Sequence, residues 1–170
     1  MRSPKSKEFR LYSAAERARR DASIWTVVQG ILAPIQFAVF LISLGLVLRY
    51  LADGQGLAAA TASILIKTAL LYTIMLTGSL WEHAVFGKYL FARAFFWEDV
   101  VSMLVLALHG AYVVSLFTGW LTGRQQMQLA LAAYATYLVN ASQFLIKLRA
   151  ARREKPPAPS ATTLAMGAHR

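Results

Sequence analysis

The sequence predicts an all-α, polytopic membrane protein whose four transmembrane helices form a bundle. Hydrophobic residues make up 57% of the 170-residue chain and charged residues only 15%, whereas a soluble domain carries about 25% charged residues. The mean hydropathy is +0.46, and the apolar residues fall into four blocks. Each block is long enough for the ~20 residues that cross a bilayer. A soluble fold would have to bury four apolar helices in a chain too small to cover them.

The elements follow from the apolar blocks and from the residues that interrupt them. Spans are predicted over residues 25–50, 57–81, 96–121 and 125–149. Pro34 lies inside the first span, where a kink is expected. Residues 82–95 are aromatic and mixed in charge, which predicts a structured interfacial loop. The domain boundaries are a basic N-terminal segment 1–24, a transmembrane domain 25–150 and a disordered C-terminal tail 151–170.

Within the basic segment, residues 13–20 (SAAERARR) predict a short surface helix. Asp21 or Ser23 is the expected N-cap of the first span. The segment lacks the short apolar core and small-residue cleavage site of a cleavable signal.

The positive charges predict the topology. The net charge is +10, and the first segment carries seven Lys and Arg residues while the end of the fourth span and the tail carry six. Lys88 and Arg93 lie in the 82–95 loop, whereas the opposite connections carry only Arg49 and Arg124. The positive-inside rule therefore places both termini and that loop in the cytoplasm. No nucleic-acid motif accompanies these charges, and the absence of cysteine excludes thiol chemistry.

Each span carries one stripe of polar residues, which is costly in lipid and indicates a functional interior. The third span carries the longest stripe, and its residues recur at helical spacing. The stripes, from the first span to the fourth, are Gln29, Gln36 and Ser43; Thr68, Tyr72, Met75, Ser79 and Glu82; Glu98, Ser102, Val105, His109 and Tyr112; and Tyr137, Asn140 and Lys147.

The polar stripes can also have a purely structural role, in which they only join helices by hydrogen bonds. For Gln36, Ser43 and Asn140, this structural role and a functional role are equally well supported. Lys67 lies one residue off its stripe and is expected to snorkel to the surface or to pair with a group of the third span. His109 can be a hydrogen-bonded structural residue or a single axial ligand to a macrocycle, and the sequence supports both roles equally. No metal-binding motif is present.

Three stretches together resemble the 3-vinyl bacteriochlorophyllide hydratases (BchF). They are residues 22–50 (ASIWTVVQGILAPIQFAVFLISLGLVLRY), 59–109 (from AATASILIKTALLYTIMLTGSLWEHAVFGKYL to LVLALH) and 129–152 (LALAAYATYLVNASQFLIKLRAAR). The resemblance covers about residues 20–152 and is a whole-chain pattern rather than a short motif. It implies hydration of the C3 vinyl group of chlorophyllide a or 3-vinyl bacteriochlorophyllide a to a 3-(1-hydroxyethyl) group.

Such a reaction needs a general acid, a positioned water with a base, and a dry slot for a flat ring. Glu98 is the first choice for the acid, with Glu82 or Asp99 as its partner, because two close carboxylates let one hold a proton while the other accepts one. His83 or His109 is expected to orient the water or to ligate magnesium. The expected substrate contacts are Tyr72, Trp97 and Tyr112 at the ring and Lys88 or Arg93 at the propionate.

The resemblance also implies no separate cofactor, because the substrate carries its own magnesium. It places the chain in a bacterial inner or intracytoplasmic photosynthetic membrane, with other enzymes of bacteriochlorophyll biosynthesis or further copies of the chain as open partners. Two other functions are considered: a non-catalytic pigment-binding or assembly protein, and a small transporter. The transporter is disfavoured because the sequence shows no inverted repeat.

Overall fold

The computed structural model describes residues 11–153 and folds them into five α-helices. The helices are α1 (Ala14–Ala22), α2 (Ile24–Asp53), α3 (Leu57–Phe86), α4 (Phe96–Thr118) and α5 (Gly123–Arg153). No strand occurs within these residues, which confirms the predicted all-α class. Helices α2 to α5 are long and apolar enough to cross a membrane, so the four predicted spans are confirmed.

The helix ends differ from the prediction where a glycine stops the helix. Helix α3 extends to Phe86, five residues beyond the predicted span, so the loop is shorter than expected. Gly87 ends it with φ 75°, and its N–H donates to the His83 carbonyl at 2.9 Å. The prediction ended the second span where the mixed-charge segment 82–95 begins, which was wrong. A helix continues past polar residues until a residue in the left-handed conformation ends it. Helix α2 runs unbroken through Pro34.

The short surface helix is confirmed as α1. Ser13 caps it, since its hydroxyl accepts the Glu16 N–H at 3.2 Å and the Glu16 carboxylate accepts the Ser13 N–H at 2.7 Å. That backbone hydrogen bond holds the pKa of Glu16 below its usual value. Residues 1–10 of the basic segment and 154–170 of the predicted tail lie outside the described residues.

The four long helices form a bundle of two helix pairs. Helix α2 packs mainly on α3, and α4 packs mainly on α5, while smaller contacts between α3 and α4 and between α2 and α5 close the bundle. Short connections make consecutive helices antiparallel. We call the end that carries α1, the 87–95 loop and the C-terminal end of α5 the terminal end, and the opposite end the far end.

The outer surface of the bundle is apolar, and its interior holds polar side chains within an apolar core. Large apolar side chains such as Leu76 (68% exposed) and Phe117 (83% exposed) face outward, as in a surface that contacts lipid. All four long helices contribute polar side chains to the interior. These buried polar residues are Gln36, Ser43, Lys67, Thr68, Glu82, Glu98, Asp99, Ser102, His109, Ser115 and Gln126. The inward orientation predicted for the polar stripe of the third span is confirmed.

Candidate active site

Three carboxyl side chains converge at the terminal end of the bundle. Glu82 lies in the last turns of α3, and Glu98 and Asp99 lie in the first turn of α4. None of them is more than 6% exposed. The connection between α3 and α4 is short, so the end of one helix stands beside the start of the next. Together with Lys147 of α5, these residues are here called the carboxylate cluster.

Within the cluster, the carboxyl groups of Glu82 and Asp99 lie within hydrogen-bonding reach of each other. Two carboxylates only accept hydrogen bonds, so such a pair can bond directly only when one member carries a proton. Glu98, the residue before Asp99, lies in the same first turn of α4.

The same two carboxyl groups also bind the loop that joins α3 to α4. Asp99 Oδ2 accepts the N–H of Phe91 at 2.7 Å, and Glu82 Oε2 accepts the N–H of Ala92 at 3.2 Å. Phe91 has φ 59°, a left-handed conformation that costs a non-glycine residue about 1 kcal/mol. The Asp99 contact supports this conformation, so the pair positions the loop.

Glu98 is held differently, by a cation. Lys147 Nζ lies 2.5 Å from Glu98 Oε2 and also donates to the Ala94 carbonyl. The ammonium group of Lys147 additionally lies 4.9 Å from the centroid of the Phe95 ring. Glu98 thus has a cationic partner that α5 supplies.

Backbone contacts tie α5 to the first turn of α4 next to the ion pair. Asn140 Nδ2 donates to the Glu98 carbonyl at 2.9 Å and to Ser102 Oγ at 3.0 Å. The predicted hydrogen-bonding role of Asn140 is therefore confirmed.

Aromatic and apolar side chains cover the cluster at the terminal end. Tyr12 stacks on Phe86 at a centroid distance of 5.8 Å and also contacts Phe95. Arg19 Nε donates to the carbonyl of Val85 at 2.8 Å, which fixes α1 over this end. The carboxylate cluster thus lies in an environment of low polarity, where electrostatic interactions are strong.

A second polar group lies in the middle of the bundle and is here called the central cluster. It consists of Gln36 from α2, Lys67 from α3 and His109 from α4, each at most 2% exposed. Lys67 Nζ lies 5.2 Å from the centroid of the Tyr134 ring, and the His109 ring lies 5.9 Å from the same ring.

Both interpretations of Lys67 from the sequence are wrong. It does not snorkel, and among residues 11–153 its ammonium group has no hydrogen-bond partner, because it points inward among aromatic rings.

The structure separates the other predicted site residues. His83, Lys88, Arg93 and Trp97 are exposed at the terminal end, and His83 stacks on Tyr89 at a centroid distance of 4.2 Å. Within the described chain, His83 hydrogen bonds to none of the three carboxyl groups.

The two predicted tyrosine contacts lie deeper in the bundle. Tyr112 is fully buried, whereas Tyr72 is 43% exposed. The Tyr72 hydroxyl donates to the Leu106 carbonyl at 3.4 Å, so Tyr72 spans the seam between α3 and α4.

Sequence reasoning assigned no role in the site to Lys147, Lys67 and Gln36. Lys147 stands in register with Asn140 on the polar stripe of the fourth span, so that spacing was a usable signal. The partner of Lys147 is 49 residues away in sequence, and spacing along one helix cannot reveal it. Lys67 carried a signal of its own, since a charged residue inside a span is rare and usually functional.

Comparison with known proteins places the chain among hydratases. A family model described as "2-vinyl bacteriochlorophyllide hydratase (BCHF)" matches residues 12–150. A relative from Cereibacter sphaeroides with the name 2-vinyl bacteriochlorophyllide hydratase is 69% identical, over 88% of this chain and 93% of the relative. A relative of the same name from Rhodobacter capsulatus is 65% identical, over 84% of this chain and 82% of the relative. No solved structure matches the chain.

Proposed function

The chain belongs to the 2-vinyl bacteriochlorophyllide hydratase family, and we propose that its carboxylate cluster performs the acid–base chemistry of the hydration. The protein is a hydro-lyase of bacteriochlorophyll biosynthesis that adds water to the vinyl group of a tetrapyrrole. The family description numbers the vinyl-bearing carbon 2, and the numbering used above makes it C3. This assignment disfavours the non-catalytic pigment carrier that the sequence alone left open.

The reaction converts a vinyl group and one water into a 1-hydroxyethyl group. A proton adds to the terminal vinyl carbon, and the adjacent carbon becomes a cation whose charge spreads into the conjugated ring. A water oxygen then bonds to that carbon and releases a proton to a base. The proton given by the acid is thus replaced by the one taken from water, and no redox partner is required.

The observation that carries this proposal is the close pair of buried carboxyl groups formed by Glu82 and Asp99. A proton on one of them would join the two groups by a hydrogen bond, and both side chains are buried away from bulk water. A protonated carboxyl in a water-poor site is a competent general acid. We therefore assign proton donation to the Glu82–Asp99 pair.

Glu98 is the group best suited to accept the proton that water releases. It is ion-paired with Lys147, so we assign it the role of base and assign the donor proton to the neighbouring Glu82–Asp99 pair. This reverses the first choice made from the sequence, in which Glu98 was the acid and Glu82 or Asp99 its partner. The water-orienting role of His83 stays a prediction.

The substrate contacts extend from the terminal end into the bundle. Lys88 and Arg93 are exposed beside the cluster, where they meet an anionic propionate without being buried. Trp97 offers an exposed aromatic face at the same level, and Tyr72 and Tyr112 lie deeper along α3 and α4. The magnesium belongs to the substrate, and we propose no metal ion bound by the protein alone.

The membrane placement follows from the same residues. The apolar outer surface fits a bacterial membrane that houses bacteriochlorophyll synthesis. We propose that the terminal end faces the cytoplasm, because the basic residues concentrate there. Proteolysis of sealed vesicles of known orientation tests this, and protection of the 87–95 loop in vesicles with the cytoplasmic face outward contradicts it.

The direct test of the function is product mass. The full-length protein in lipid nanodiscs is incubated with chlorophyllide a, and in parallel with 3-vinyl bacteriochlorophyllide a, without added cofactor. We expect a product heavier by one water and a blue shift of the long-wavelength absorption band. Pigment that binds without a change in mass contradicts catalysis by this chain.

The role of Glu98 is tested by Glu98→Gln. The amide keeps the size of the side chain, so the variant should insert and bind pigment but lose hydration. Turnover close to that of the wild type shows that Glu98 is neither the acid nor the base.

A further inference from the structure

The two helix pairs present unsatisfied polar groups towards each other. Gln36 and Lys67 belong to the α2–α3 pair, and His109 belongs to the α4–α5 pair. The Gln36 amide nitrogen and oxygen, Lys67 Nζ and His109 Nε2 are all buried without a hydrogen-bond partner among residues 11–153. Buried polar groups are nearly always partnered, so three such side chains from three helices indicate a site that is completed by a ligand.

Aromatic rings surround the ammonium group of Lys67 but give it no acceptor. Its Nζ lies 3.9 Å from the ring centroid of Tyr137, 5.2 Å from that of Tyr134 and 5.8 Å from that of Phe40. Cation–π contacts of this kind compensate part of the lost hydration. They leave all three N–H donors free to bind an oxygen atom.

His109 offers the complementary chemistry. Its Nδ1 contacts the Val105 carbonyl at 2.8 Å, and a carbonyl only accepts, so Nδ1 carries the hydrogen. In the neutral ring the lone pair is therefore on Nε2, the nitrogen that has no partner. An imidazole fixed in this way is a good ligand for a metal ion.

Gln36 adds a buried amide donor on the face of α2 that carries Phe40. It lies one turn before Phe40, whose ring contacts the ammonium group of Lys67. A ligand for the central cluster must therefore present a Lewis acid to His109 and an acceptor oxygen to Lys67 and Gln36. A magnesium tetrapyrrole with keto and ester oxygens on its edge has both features in one molecule.

We propose that the macrocycle inserts between the α2–α3 pair and the α4–α5 pair, with its magnesium on His109 and an edge oxygen held by Lys67 and Gln36. The seams between the pairs are the smaller contacts of the bundle, so they are the interfaces that separate most easily. His109 follows Glu98 by eleven residues, or about 16 Å along α4. That span is comparable with the distance from the ring centre to a peripheral vinyl group plus the reach of two side chains.

This inference rests on the proposed function, and its test measures pigment binding separately from hydration. Chlorophyllide a is titrated into nanodiscs that hold the wild type, Lys67→Met, Gln36→Leu or His109→Leu. Gln29→Leu is the matched control, because the Gln29 amide already donates to Thr77 Oγ1 at 2.7 Å. We expect Lys67→Met and Gln36→Leu each to weaken binding about tenfold or more and Gln29→Leu to leave it unchanged.

Resonance Raman spectra and modified pigments identify the contacts. His109→Leu should change the magnesium coordination marker, and it should not alter the affinity for pigment without magnesium. If the keto group is the acceptor, its C=O stretch rises in Lys67→Met. Methyl esterification of the propionate should leave the effect of that substitution unchanged, because the propionate is assigned to Lys88 and Arg93 at the terminal end.

The experiment distinguishes failure of the proposed binding site from failure of the proposed hydratase function. Equal affinity of Lys67→Met, Gln36→Leu and the wild type overturns the central site, even if hydration proceeds normally. Binding that depends on Lys67 without any gain of water instead overturns the proposed function and leaves the binding site standing. A loss of folding in Lys67→Met, seen as a lower thermal midpoint without pigment, assigns Lys67 a structural role and also contradicts the proposal.

Discussion

The carboxylate cluster and the central cluster are both buried and polar, but only the first is satisfied internally. Each side chain of the carboxylate cluster has a partner: Glu82 and Asp99 accept N–H groups of the loop, and Glu98 pairs with Lys147. In the central cluster, Gln36, Lys67 and His109 Nε2 leave polar atoms without partners in the described chain.

The difference between the clusters shows that buried polar groups can have two roles. A satisfied network fixes geometry and stabilises the pigment-free fold, as a catalytic group that must be preorganised requires. An unsatisfied group lowers stability until a ligand supplies the missing partner. Substitutions should therefore affect stability in opposite directions in the two clusters.

The largest expected effect is a fall in the rate of hydration when Glu82 or Asp99, the proposed proton donors, is replaced by its amide. Glu82→Gln and Asp99→Asn should each lower the rate about 100-fold or more. The amide oxygens still accept the N–H groups of Ala92 and Phe91, so the loop should keep its conformation. Product mass over time gives the rate.

The matched control for this pair is Asp53→Asn. Asp53 also accepts a backbone N–H, that of Gln55 at 2.8 Å, but it lies exposed at the far end. Its hydration rate should equal that of the wild type. Full activity of both Glu82→Gln and Asp99→Asn shows that the pair only anchors the loop.

The next largest effect is on stability, when the ion pair of the carboxylate cluster is broken. Lys147→Met leaves the Glu98 carboxylate buried without a cation, which should lower the free energy of unfolding by about 3 kcal/mol. The double variant Lys147→Met/Glu98→Gln removes the unpaired charge and should recover most of that loss. Denaturant unfolding in detergent measures both, and equal stability of the two variants contradicts the coupling.

The corresponding change in the central cluster should have the opposite sign. Lys67→Met replaces an unpartnered ammonium group with an apolar side chain of similar length. We expect the pigment-free protein to become more stable by about 1 kcal/mol, because the lost cation–π contacts are worth less than the desolvation that is relieved. The thermal midpoint without pigment measures this, and a decrease would remove the contrast between the clusters.

The smallest expected effect is a difference in the free energy of unfolding between variants of two glutamines on α2. Gln29→Leu removes the hydrogen bonds of its amide to Thr77 and to the Ile74 carbonyl, so it should lower the free energy of unfolding by about 1 kcal/mol. Gln36→Leu removes no hydrogen bond and should leave stability unchanged or raise it. Parallel denaturation of the two variants measures the difference, and equal losses mean that Gln36 is satisfied in solution.

The sequence by itself determined the four spans, the inward polar stripe of the third span and the family. Each of these depends on local information: the length of an apolar block against the thickness of a bilayer, the helical spacing of polar residues along one chain segment, and a pattern of residue identities. The end of α3 was misplaced because the stop signal was a glycine conformation at Gly87 and not the polarity of Glu82.

Only the tertiary structure decided which polar groups meet. Lys147 reaches Glu98 from another helix, Asp99 joins Glu82 across a loop, and Lys67 points into the bundle among rings of α2 and α5. These contacts join residues far apart in sequence, and they are set by how the helices pack and rotate against each other. Periodicity fixes the face of each helix but not its neighbour, so the sequence could place the candidates without pairing them.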